Sequence, residues 1–222
     1  MTERLDIVAS DGIHLEAEIV EAESVEAGSS GAPRAAMVIC HPHPQFGGTM
    51  RSVVVSALFE ALPASGVTCL RFNFRGVEGS AGACGEGRGE RVDASAAVAT
   101  LAERIDDDIP LVLSGWSFGA DMALTVADPR LAAWLLIAPP LRFASDADRT
   151  PVATDPRPKL LVLGEHDEFR PPAEVTAATA SWSATDVEIV GGASHFFIGR
   201  TDRLVALAHG FVDRVVGPPA GS

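Results

Sequence analysis

The feature that most constrains this chain is a rhythm. Short strand-like runs alternate with segments whose apolar residues recur at helical spacing. Ala35–Cys40 contains no polar side chain, as a strand covered on both faces requires. Further strands are expected at Val67–Phe74, Leu111–Leu113, Leu131–Ala138, Leu160–Leu163 and Asp186–Val190. Helices are expected over Thr49–Leu62, Glu90–Arg104, Ser117–Ala127, Pro172–Ala180 and Arg200–Val216. Such alternation builds a mostly parallel sheet with helices on both faces. Two opening runs, Leu5–Ala9 and Ile13–Val20, flank Asp11-Gly12, a hairpin turn signal that makes one end of the sheet antiparallel. Residues 22–34, rich in Glu, Ala, Ser and Gly, read as a loop. The expected organisation is one α/β domain over residues 1–216 and a frayed tail over 217–222.

The junction between the fifth expected sheet strand and its helix carries chemistry. Gly115-Trp116-Ser117-Phe118-Gly119 matches G-x-S-x-G, with apolar Leu111–Leu113 before it and a helix-forming stretch after it. That setting is what a nucleophile elbow needs: the glycines relieve collisions in a tight turn, and the turn lifts the serine hydroxyl above the strand ends. A helix N-terminus there favours a developing anion.

A serine hydroxyl needs a base. His195 lies in Gly191-Gly192-Ala193-Ser194-His195-Phe196-Phe197, after the last strand and before the last helix, where α/β sheets carry their sites. The third member is expected between serine and histidine in chain order. Asp167 follows Leu160–Leu163 and is the first choice to hold the imidazole, with Glu165 and Glu168 on the same loop as alternatives. An oxyanion hole would take the backbone N–H of Phe118 and a second N–H from the loop His41-Pro42-His43-Pro44-Gln45. The prolines have none to give, which leaves His43 or Gln45.

Other patterns carry less. His41-x-His43 lacks a downstream His/Asp cluster, so no metal is expected, and no cofactor is implied. The six glycines between Gly76 and Gly89 precede no G-K-[ST] and read as a flexible loop rather than a phosphate cradle. Three cysteines, at 40, 69 and 84, form no C-x-x-C pair and suggest a reducing compartment. A net charge of −13 repels phosphate backbones and anionic lipid heads, which argues against nucleic acid as a partner. Residues 1–10 lack the apolar core of a signal peptide, and no apolar stretch is long enough to span a bilayer, so a cytoplasmic protein without membrane association is expected. Oligomeric state is not legible.

These motifs together resemble a family. The run Cys40-His41-Pro42-His43-Pro44-Gln45-Phe46-Gly47-Gly48-Thr49-Met50 is similar to the H-P-x-P-x-x-G-G signature of small bacterial α/β-hydrolases related to the dienelactone hydrolases. Arg71–Ser80, the Ser117 elbow, Gly164-Glu165-His166-Asp167 and Ala193–Phe197 extend the resemblance over about residues 5–216. It implies an α/β-hydrolase fold with an eight-stranded mixed sheet. Dienelactone hydrolases proper use a cysteine nucleophile where this chain has Ser117, so their substrate is not carried over.

About 20 residues separate Ala138 from Lys159, too few for a cap domain with packed helices of its own. The expectation is an open, shallow site for short acyl chains, walled by Trp116, Phe46, Phe196 and, unless it is simply core, Phe143. The function expected is a serine hydrolase acting on a small carboxylic ester or thioester through an acyl-enzyme. The alternatives are a small peptidase with the same three residues, or a non-catalytic binding protein on the same fold.

Overall fold

A computed structural model describes residues 1–23 and 32–217. Most of the loop expected over residues 22–34 and nearly all of the tail expected over 217–222 lie outside the described residues. Strands β1 (Thr2–Val8), β2 (His14–Val20), β3 (Ala35–Cys40), β4 (Val67–Phe72), β5 (Leu111–Trp116), β6 (Leu131–Ile137), β7 (Lys159–Gly164) and β8 (Thr185–Val190) form one sheet in the order β1-β2-β4-β3-β5-β6-β7-β8. The β1/β2 and β2/β4 pairs are antiparallel and the others parallel. The opening hairpin closes where the N–H of Gly12 donates to the carbonyl of Ala9, with Gly12 at φ +82°, a conformation that favours glycine.

Side-chain alternation along the central strands sends two sets of apolar residues to opposite faces. Met37, Ile39, Val112 and Leu135 meet helices α1 (Val53–Ala61) and α6 (Thr201–Val216). Val38, Cys40, Leu113 and Leu136 meet α2 (Glu90–Ala102) and α3 (Phe118–Ala123). Val175 of α5 (Pro172–Thr179) joins the second face. This is an α/β-hydrolase fold with helices on both faces of the sheet.

Three local readings need correction. The helix expected from Thr49 starts only at Val53, because Thr49 and Ser52 spend their backbone and hydroxyl groups on a turn. The helix expected over Ser117–Ala127 ends at Ala123, since α3 breaks into turns through Leu124–Val126. The segment between Ala138 and Lys159 holds an unforeseen eight-residue helix, α4 (Asp146–Ala153). Its five prolines disguised it, but Ser145 and Asp148 form a capping box: Ser145 Oγ accepts from the Asp148 N–H and the Asp148 carboxylate accepts from the Ser145 N–H. One short helix is no cap domain.

The glycine-rich run after β4 is tied down rather than left loose. The carboxylate of buried Glu90 accepts from the N–H groups of Gly85 and Gly87 at 2.7 and 2.8 Å. Arg75 grips Asp93 of α2 and reaches Asp11 in the β1–β2 turn. Arg75, just past β4, thus ties together the β1–β2 turn and α2.

Candidate active site

The elbow positions Ser117 by backbone chemistry. Its N–H donates to the carbonyl of Ile137 at 2.8 Å, fixing the turn to the end of β6. Its own φ is +56°, a strained conformation that persists only because the surrounding structure imposes it. A Cβ on Gly115 would come within 2.3 Å of the Gly119 backbone, and one on Gly119 within 2.4 Å of the Cys40 carbonyl, so neither position has room for a side chain.

Ser117 Oγ lies 2.9 Å from Nε2 of His195, and Nδ1 of His195 lies 2.8 Å from Oδ2 of Asp167. The loops after β5, β7 and β8 thus bring these three residues into one hydrogen-bonded chain. His195 and Asp167 are buried. With Nδ1 donating to the carboxylate, Nε2 is left as the acceptor that faces the serine hydroxyl. The other oxygen of Asp167 accepts from the N–H groups of Phe169 and Arg170 at 2.9 and 3.1 Å, which sets the carboxylate's direction.

The alternative acids turn elsewhere. Glu165 accepts from the N–H of Gly192, and Glu168 from the N–H of His195. Both brace the histidine loop from its backbone side. His166 is exposed, with its ring 3.7 Å from Glu165, and takes no part. The indole N–H of Trp116 donates to the carbonyl of His195 at 3.1 Å, so this residue braces the same loop in addition to lining the cleft.

Of the two candidates for a second oxyanion donor, Gln45 is already engaged: its N–H donates to Nδ1 of His43 at 3.2 Å. The N–H groups of His43 and Phe118 donate to no protein acceptor among the described residues. Burial pushes the His43 ring below its usual pKa, Glu90 opposes this, and the charge of Arg142 adds to it. His41 is more deeply buried, and that burial pulls its pKa down to about 4. Nδ1 of neutral His41 donates to the carbonyl of Pro42 at 2.6 Å while Nε2 accepts from the N–H of Phe74 at 3.0 Å. Both ring nitrogens are thus spent on protein, which removes His41 from any metal site.

A cleft of about 470 Å³ opens over Ser117. Phe46, Trp116, Phe143 and Phe196 all line it, together with Phe169, Pro140, Val53 and Arg142. Phe46 is 81% exposed and Phe196 41% exposed, which places them at an open rim. Phe143 both packs against the core and faces the cleft. Sequence reasoning missed Phe169 and Arg142. Phe169 had a signal, two residues past the acid; Arg142 sits on a loop whose approach to the serine is a tertiary event. Among the described residues no helix is long and apolar enough to cross a membrane, and no three acidic, His or Cys side chains are grouped to hold a metal.

Comparison with known proteins places the fold. A family profile described as an alpha/beta hydrolase domain matches residues 33–209. An uncharacterized protein of Rickettsia prowazekii (strain Madrid E) is 34% identical over 191 residues, 82% of this chain and 79% of that protein. The solved structure of an alpha-beta serine hydrolase homologue from Coxiella burnetii is 33% identical, covers 92% of this chain and 94% of its own, and superposes with a TM-score of 0.79. A serine hydrolase without lid from Xanthomonas campestris is 28% identical, covers 97% and 93%, and has a TM-score of 0.80.

Proposed function

The chain belongs to the alpha/beta hydrolase domain family and is a hydrolase; from that premise we propose that it cleaves a small carboxylic ester or thioester through an acyl-enzyme at Ser117. The observation that carries this reading is the hydrogen-bonded chain from Ser117 Oγ through His195 to Asp167, at 2.9 and 2.8 Å, at the floor of an open apolar cleft.

In the proposed reaction His195 Nε2 takes the hydroxyl proton as Ser117 Oγ attacks the acyl carbon. Asp167 holds the imidazole in the productive tautomer and stabilises the imidazolium that forms. Negative charge then develops on the acyl oxygen, where the N–H groups of Phe118 and His43 serve as donors. His195 returns the proton to the leaving alcohol or thiol. Water, activated by the same imidazole, releases the acid and frees Ser117. The cleft without a cap domain, rimmed by Phe46, Phe169 and Phe196, suits short acyl or aryl groups.

The test is covalent. Purified protein treated with a fluorophosphonate is expected to gain the mass of one adduct, and Ser117→Ala to gain none. Absence of an adduct on the native protein would overturn the reading and favour a non-catalytic binding protein. Ester, thioester and peptide panels then separate esterase from thioesterase and peptidase.

A further inference from the structure

The cleft over Ser117 carries one formal charge. Arg142 lines it, while no Lys, Asp or Glu does. Elsewhere the arginines near the sheet ends are consumed: Arg51 and Arg71 hold Glu18, Arg75 holds Asp93, and Arg91 holds Asp148. The Arg142 guanidinium forms no ion pair or hydrogen bond with any described residue; it lies over the Phe143 ring, 4.8 Å from the centroid. Other arginines, Arg88 and Arg203 among them, also lack an acid partner among the described residues, but Arg142 is the one that lines the cleft of the candidate nucleophile.

Its place is built. Asp121 is fully buried on α3, four residues beyond Ser117, and its carboxylate accepts from the N–H groups of Leu141, Arg142 and Phe143 at 2.9, 2.8 and 2.9 Å. The helix that starts at the nucleophile therefore holds the backbone of Arg142 directly. The Phe143 ring beneath the guanidinium is wedged against His43 and Phe118, at 4.8 and 5.1 Å between centroids. The Arg142 side chain is exposed, but it starts from a backbone clamped to the elbow, which fixes where the cation stands at the cleft. Glu86 and Glu90 are near enough to influence His43, yet neither lines the cleft, and Glu90 is occupied by Gly85 and Gly87.

We propose that Arg142 is a specificity-determining residue that receives a carboxylate carried by the substrate, so that the preferred substrate is a small monoanionic ester with an apolar body. The inference rests on reading Ser117, His195 and Asp167 as a hydrolytic centre. A guanidinium presents paired N–H donors that match a carboxylate. A single cation, with no second basic side chain in the lining, balances one negative charge rather than the two of a phosphate monoester. Phe143, Phe169 and Phe196 cover the hydrocarbon between the two carbonyl ends.

The experiment compares phenyl acetate with two carboxylate esters: 4-acetoxybenzoate, whose anion lies in the leaving group, and phenyl hydrogen glutarate, whose anion lies in the acyl group. The native protein is expected to favour at least one carboxylate ester in kcat/KM by roughly 10- to 100-fold over phenyl acetate, a preference that weakens as salt rises. Arg142→Gln is expected to abolish that ratio, and Arg142→Lys to restore part of it. The same ratio in native protein and Arg142→Gln would overturn the inference. Calorimetric binding of 4-acetoxybenzoate to Ser117→Ala, with and without Arg142→Gln, reads the anion site without turnover; affinity unchanged by Arg142→Gln also overturns it. Fluorophosphonate labelling reads the premise separately. Labelling with no Arg142-dependent selectivity sinks the anion site alone, whereas no labelling sinks the hydrolytic reading and leaves the calorimetry to decide the anion site.

Discussion

The backbone N–H of Gln45 donates to the imidazole Nδ1 of His43 at 3.2 Å, so the side chain of one candidate oxyanion residue occupies the backbone donor of the other. The N–H left without a protein acceptor is that of His43. Its backbone angles, φ −56° and ψ 122°, are those a proline adopts without strain. His43→Pro therefore deletes the N–H while keeping the chain's path, and His43→Ala keeps the N–H while deleting the ring. The expected outcome is a kcat about 10²–10³ lower for His43→Pro than for His43→Ala, with similar melting temperatures. Equal rates, measured on an activated ester, would remove His43 from the oxyanion role.

The three carboxylates around position 167 differ in what they touch. Asp167 meets the imidazole, whereas Glu165 and Glu168 meet backbone N–H groups. Asp167→Asn is expected to lower kcat by roughly 10³–10⁴, because the amide favours the wrong imidazole tautomer. Glu168→Gln keeps an acceptor for the His195 N–H and is expected to cost less than about tenfold. Steady-state kinetics on both variants checks the assignment.

Gly119 allows β3 to pass directly under the elbow. A Cβ there would sit 2.4 Å from the Cys40 carbonyl and 2.5 Å from that of His41, and backbone atoms cannot yield as a flexible side chain can. Gly119→Ala is expected to destabilise the fold by more than about 3 kcal/mol, read as a shift in the urea midpoint.

The imidazole of His41 is an acid-sensitive point. Burial lowers its pKa from 6.5 to about 4, so the unfolded chain takes up a proton at this residue before the folded one does. Stability is therefore lost as pH falls from near 6.5 towards 4, with no further loss from this group below. The difference amounts to up to about 3 kcal/mol. Urea titrations at pH 7 and pH 4.5 are expected to show a smaller acid loss for His41→Gln, which lacks the titrating ring, than for the native protein.

Much of this was legible because it is local. Hydrophobic periodicity announced the strands within a few residues of their ends: Ala35–Cys40 is β3 residue for residue, and the Asp11-Gly12 turn closes the first hairpin. The order Ser117, Asp167, His195, each just past a strand, marked three loops at one end of a parallel sheet. Helix α4 escaped because Pro151 within it and the prolines flanking it outweighed a capping box that was present in the sequence.

Chain order could not choose among Glu165, Asp167 and Glu168, since three acids within four residues have nearly the same local setting. The choice was made by where the loop after β8 passes, offering the Gly192 and His195 N–H groups to the glutamates and the His195 ring to the aspartate. Nor could it connect Asp121 with residues 141–143, or show that Arg142 faces the cleft of Ser117. The sequence by itself determined the strands, most of the helices, their parallel stacking and the elbow, because spacing, turn chemistry and steric room are properties of neighbours along the chain. Only the tertiary structure decided which N–H remains free, which acid faces the imidazole and which cation enters the cleft, because those depend on the directions of groups brought together from loops up to 78 residues apart.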